Sequence, residues 1–138
     1  MSELKKSKEA EKIEEIIRSM QEKNTIVVVE GQHDIEKLSN VVEYLSSKGR
    51  IEEKPINAVT YDKLLYNHLD MEGMRVIIAM DSDRRGKEKK ESAIALIRAR
   101  YPNALIDEST GEKLLKILGV NCIEGILRPI KEFEESRR

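Results

Sequence analysis

Three carboxylates at the ends of apolar runs are the residues of this chain best placed for chemistry. The stretch "VVVEGQHD" puts Glu30 directly after Val27, Val28 and Val29, with Gly31 next. The stretch "VIIAMDSDRRG" puts Asp81 and Asp83 after a second apolar run. A continuous β-branched run reads as a strand covered on both faces. In an open parallel sheet, ligands bind beyond the carboxyl ends of the strands. If the two strands are neighbours, the three carboxylates converge there. Converging carboxylates repel unless they are protonated or a cation lies between them. An oxygen-only set without His or Cys suits a hard cation, so Mg²⁺ is expected, with Mn²⁺ able to substitute. In an extended backbone Asp81 and Asp83 point the same way and Ser82 points away. The competing reading is a solvated acidic turn, or an N-cap for the following helix. Asp34 is a further candidate: it either binds the metal, supports a metal ligand, or stabilises the first turn of its own helix.

Basic residues follow the aspartates at once. "RRGKEKKESAIALIRAR", residues 84–100, carries seven basic and two acidic side chains. Arg84, Arg85 and Lys87 would stand beside the acidic site, near a helix N-terminus that itself favours anions. They are candidate phosphate contacts that position a nucleic acid without reading its sequence. Gly31 would let the backbone approach a phosphate closely. Lys89 and Lys90 read as plain surface. Tyr44, Tyr61, Tyr66 and Tyr101 are scattered and form no stacking platform. His33 reads as a surface residue at a helix start, and His68 has no evident partner. Asp107 reads as a turn residue ahead of a helix rather than as part of the site.

The elements that must position these residues alternate. A helix is expected over residues 3–23, with Ile13, Ile16, Ile17 and Met20 as its apolar stripe. "TIVVVE" is the first strand. A helix over 33–47 follows, with Ile35, Leu38, Val42 and Leu45 facing inward. "INAV" is a short second strand, and Thr60 is placed to N-cap the helix "YDKLLYNHL". "RVIIAMD" is the third strand. The next helix runs from Gly86 to Ala99 and stops at Pro102. "ALID" is the fourth strand. Ser109 and Glu112 have capping-box spacing for the helix through "KLLKIL". The tail after Gly119 is helical, with a break expected at Pro129. All-apolar strands alternating with helices predict an α/β fold with about four mainly parallel strands flanked by helices in three layers.

Composition narrows the function classes. Over 138 residues, 37% are charged and 39% hydrophobic, with a net charge of −1. That balance suits one folded domain rather than a disordered chain or a globally basic nucleic-acid binder. The single Cys122 excludes an internal disulfide and a thiolate zinc cluster. No apolar run approaches the ~18 residues of a membrane span, and the start "MSELKKSKEAEK" has no apolar signal region. A cytoplasmic location without membrane association is expected.

Glu30–Gly31 and Asp34 at one strand end, followed by "DSDRRG" at another, resemble the signature of the Toprim domain. Topoisomerases, bacterial-type primases, overcoming-lysogeny-defect nucleases and the maturase of 5S ribosomal RNA share that domain. The resemblance covers about residues 25–110. The tail "LIDESTGEKLLKILGVNCIEGILRPIKEFE" further resembles small archaeal stand-alone Toprim proteins. It implies a Rossmann-like Toprim core over 25–110, an N-terminal helix over 1–24 and a helical extension over 111–138, together one domain. It also implies Mg²⁺ held by Asp81 and Asp83, with Glu30 as general acid or base in phosphodiester chemistry on RNA or DNA. Asp34 matches an acidic position of the nuclease and maturase branches. A nuclease or RNA-processing factor is the expected function. The alternative is a non-catalytic RNA- or protein-binding module, with the flanking helices as partner surfaces. The chain lacks room for the tyrosine-bearing domains of a topoisomerase and the cysteines of a primase zinc domain.

Overall fold

The computed structural model describes residues 3–137. Four strands form one all-parallel sheet: β1 (Thr25–Val29), β2 (Ala58–Thr60), β3 (Arg75–Ala79) and β4 (Leu105–Asp107). Their spatial order is β2-β1-β3-β4. The helices are α1 (Glu3–Met20), α2 (Gln32–Ser47), α3 (Tyr61–Tyr66), α4 (Arg84–Arg100), α5 (Ser109–Leu118) and α6 (Leu127–Glu135), with a 3₁₀ turn at Ile123–Gly125. The expected α/β class and parallel sheet are therefore present.

Strand alternation sorts the core into two halves. Val27, Val29, Ile77 and Ala79 face one side, where α1, α2, α5 and α6 cover them with Ile13, Ile17, Leu38, Leu45, Leu114 and Ile130. Ile26, Val28, Val76 and Ile78 face the other, where α3 and α4 supply Leu64, Ala93, Ile94 and Ile97. Both faces of β1 and β3 are dry, which is why those strands read as unbroken apolar runs. The apolar stripe of α1 is spent inside the fold, against α5 and α6. Residues 3–24 and 111–137 thus complete one layer of the domain rather than forming appendages. Ion pairs lock this layer at its rim, where Arg50 and Arg137 meet the buried carboxylates of Glu134 and Glu14.

Several local expectations need correction. Helix α4 begins two residues before Gly86, because Asp83 rather than a later residue caps it. Helix α3 ends at Tyr66, earlier than the pattern "YDKLLYNHL" suggests, although Thr60 does accept the Lys63 N–H as expected. Pro129 does not break the last helix. It lies in the first turn of α6, where its missing N–H is not needed. Ser109 is the first helical residue of α5, not its cap. The capping is done by Asp107, whose carboxylate accepts the N–H groups of Ser109 and Thr110, each at 3.0 Å.

Asp107 also accepts from the Arg75 guanidinium and the Thr110 hydroxyl, tying β3, β4 and α5 together. Burial alone would raise its carboxyl, but the Thr110 hydroxyl and amide, Arg75 and Ser109 hold it well below the usual carboxylate range. Asp107→Asn should therefore cost about 1–3 kcal/mol at pH 7. A depressed folded-state value means this contribution is complete above the ordinary Asp value of about 4 and fades as pH falls below it. Urea unfolding of parent and variant at pH 7 and pH 3 should show the gap shrinking at the lower pH.

Candidate active site

Strands β1 and β3 are hydrogen-bonded neighbours with Val29 opposite Ala79. The strand order reverses between them: β2 lies beyond β1 on one side, β4 beyond β3 on the other. This is the switch point at which the loops leaving neighbouring strands part and open a crevice. Glu30 leaves β1 there, and Asp81 leaves β3 a residue further on. Their carboxyl groups lie close enough for Glu30 to raise the Asp81 carboxyl.

The two acids stand in each other's field, and the crowding favours the protonated form of Asp81. Partial burial, the Glu30 contact and the nearby charges of Asp34 and Asp83 push the Asp81 carboxyl up to about 7. Glu30 is nearly enclosed, its side chain 15% exposed, with the Lys89 ammonium 3.6 Å away. Lys89 also lies over the Tyr61 ring, 5.9 Å from its centroid. Sequence reasoning assigned Lys89 to plain surface. The residue turns inward because α4 is seated so that its second turn faces the end of β1.

Gly86 sets that seating. A Cβ there would lie 2.0 Å from the Asp81 carbonyl oxygen and 2.6 Å from its carbonyl carbon. The first turn of α4 thus rests directly on the backbone of Asp81. Asp83 caps the same turn, its Oδ1 accepting the Gly86 N–H at 2.7 Å. One side-chain oxygen of Asp83 is thereby committed, and the residue is exposed. Asp34 is 7% exposed, and its Oδ2 accepts the Gly31 N–H at 3.0 Å. Burial, with Glu30 and Glu124 nearby, raises its carboxyl, although the Gly31 and Glu30 amides oppose the shift. Asp34 thus braces the turn that carries Glu30. Gly31 has φ −144, extended backbone open to any residue, and a Cβ on it would meet nothing within 4 Å.

The cations divide. Arg84 projects into solvent, with only Glu88 at 3.4 Å. Arg85 and Lys87 are exposed on the same turn. Lys90 turns inward to Glu112, at 2.7 Å. His33 is an exposed residue pairing with Glu36, and His68 packs against Tyr101. Asp107 is engaged with Arg75 and Thr110 and stays out of the site.

The donor set near Asp81 is all oxygen. Among the described residues, no three His, Cys, Asp or Glu side chains are grouped so as to hold a metal ion. A cation held by two carboxylates, with water and substrate oxygens completing its shell, is the arrangement ordinary for Mg²⁺. Among the described residues no helix is long and apolar enough to cross a membrane. No protein-family model, no curated protein and no solved structure matches this chain.

Two predictions follow from this packing. Gly86→Ala should cost about 3 kcal/mol through overpacking against Asp81, whereas Gly31→Ala should stay within about 0.5 kcal/mol of the parent; chemical denaturation of both variants separates the two roles. Asp81 holds, in the folded protein, a proton that the unfolded chain releases near the ordinary Asp value of about 4. Its contribution to stability is complete below that value and is lost as pH rises through about 7. Asp81→Asn should then melt higher than the metal-free parent at pH 8, by on the order of 1 kcal/mol after solvent screening. The difference should close at pH 5. A lower melting point for the variant at pH 8 would make Asp81 a structural acceptor instead.

Proposed function

We propose that this protein carries out Mg²⁺-dependent phosphodiester chemistry on nucleic acid, as a nuclease or RNA-processing factor with a Toprim-like site. The observation that carries this reading is the meeting of Glu30 and Asp81 at the switch point of a parallel sheet, with α4 bringing a basic turn beside them. Asp81 and the uncommitted oxygen of Asp83 are the residues assigned to the metal, with Mn²⁺ able to replace Mg²⁺. Bound there, the cation would polarise a phosphodiester and offset the charge that grows on it.

The chain's own residues do the rest. Glu30 stands beside the Asp81 carboxyl, and the Lys89 ammonium lies 3.6 Å from it. It is therefore suited to take a proton from an attacking hydroxyl or give one to a leaving oxygen. Arg84, Arg85 and Lys87 stand exposed on the first turn of α4, where they can follow a phosphate backbone without reading bases. The open space over Gly31 admits a phosphate close to the main chain. Asp34 is a positioning residue in this scheme, holding the Glu30–Gly31 turn through its amides.

Incubation of the protein with labelled RNA and DNA in Mg²⁺ or Mn²⁺ tests the assignment. Glu30→Gln should lower cleavage by about 10²–10⁴-fold while leaving Mn²⁺ affinity nearly unchanged. Asp81→Asn should weaken Mn²⁺ binding by about tenfold or more. Cleavage that survives in an Asp81→Asn, Asp83→Asn double variant would sink the assignment. RNA binding with no cleavage by the parent would favour a non-catalytic module.

A further inference from the structure

Beside Asp81 the surface opens into a cavity of about 530 Å³ between α4 and α5. It exists because β4 pairs with β3 only as far as Ile77. Beyond that point Ile78 and Met80 have helices, not a strand, on that side. The cavity floor is apolar, formed by Ile78, Met80, Leu115 and Val120. Its rim carries Asp81, the Lys90–Glu112 ion pair, and Lys87 and Lys116, whose ammonium groups make no ion pair among the described residues. The far wall is built rather than loose. Asn121 accepts the Ser82 N–H at 2.8 Å through its carbonyl, and its Oδ1 lies 3.1 Å from the Ser82 hydroxyl. The Asn121 side-chain NH₂ is left without a hydrogen bond among the described residues.

These features select a ligand. An apolar floor rejects a bare phosphate or a metal ion. A lysine rim rejects a purely apolar molecule. What satisfies both is a flat, mostly apolar body with polar edges and an attached anion. The volume lies within the roughly 300–1,000 Å³ range of small-molecule sites. We propose that this cavity holds one nucleotide unit. Its base lies on Met80, Leu115 and Val120, its edge meets Asn121, and its phosphate is held by Lys87 and Lys116 beside Asp81. The assignment deepens the phosphodiester reading and rests on it for the link to Asp81. In that reading the nucleotide is the one flanking the reacting phosphate. The cavity is also the part of this protein that can discriminate among bases, since the arginines of α4 reach only the backbone.

The test is a titration of the full chain in EDTA with ribonucleoside 5′-monophosphates and, separately, with 5′-phosphorylated dinucleotides, followed by ¹H–¹⁵N spectra. Saturable shifts at Val120 and Asn121 are expected. Binding should weaken by about tenfold in Lys87→Gln, Lys116→Gln and in Val120→Trp, which fills the cavity from its rim. Response to the monophosphates identifies a free nucleotide as sufficient, and response to the dinucleotides alone identifies a unit within a strand; both support the site. No saturable binding of either ligand, or binding unchanged in both the lysine and Val120 variants, overturns it. Nucleotide binding without cleavage in Mg²⁺ keeps this site and removes the phosphodiester reading. Cleavage without nucleotide binding does the reverse.

Discussion

Parallel pairing of β1 with β3 forces Glu30 and Asp81 into contact, and much of the surrounding structure makes that contact tolerable. Two carboxylates at this distance cannot both stay ionised without help. Help comes from three directions. Partial burial and the Glu30 charge push the Asp81 carboxyl up to about 7, which favours its protonated form. Lys89 approaches Glu30 from the side of α4. The N-termini of α2 and α4 both begin at this edge, adding the partial positive charge of their unsatisfied N–H groups.

The spacing Asp81, Asp83, Gly86 has a structural logic that runs alongside its chemistry. The backbone of Asp81 is the surface on which α4 starts. Asp83 closes the first turn, and Gly86 is small enough to let that turn touch the strand end. Those contacts fix the rotation of α4 about its axis. Rotation in turn decides which basic residues see the acids. Arg84 and Arg85 point outward, while Lys89 and Lys90, about a turn later, point back toward the sheet. The basic residues of α4 therefore stand on two levels, Lys89 and Lys90 paired with acids and Arg84, Arg85 and Lys87 exposed.

The flanking segments belong to the same economy of layers. Helices α1, α5 and α6 and part of α2 cover one face of the sheet, and only α3 and α4 cover the other. Strand β4 is short and stops opposite Ile77. The cavity next to Asp81 lies beyond that point, with Lys90 and Glu112 and the Ser82–Asn121 contact in its wall. The early end of an edge strand thus leaves space beside Asp81.

Local pattern was enough to determine the succession of elements. The unbroken run Ile26–Val29 could only be a strand dry on both faces, and the i, i+3, i+4, i+7 stripe of α1 could only be a helix packed on one side. The same pattern put Glu30 and Asp81 at strand ends, where a parallel sheet presents them. Features that depend on distances across the sheet were not legible. The inward turn of Lys89 depends on Gly86 resting on Asp81. The capping of α5 by Asp107 depends on Arg75 arriving from the neighbouring strand, so Ser109 with Glu112 misled. Pro129 sits harmlessly in α6 because that helix starts at Leu127, a boundary set by packing of the 3₁₀ turn and not by the proline. Sequence spacing reports periodicity along one element, whereas these outcomes turn on the rotation and offset of two elements against each other, which only the folded packing decides.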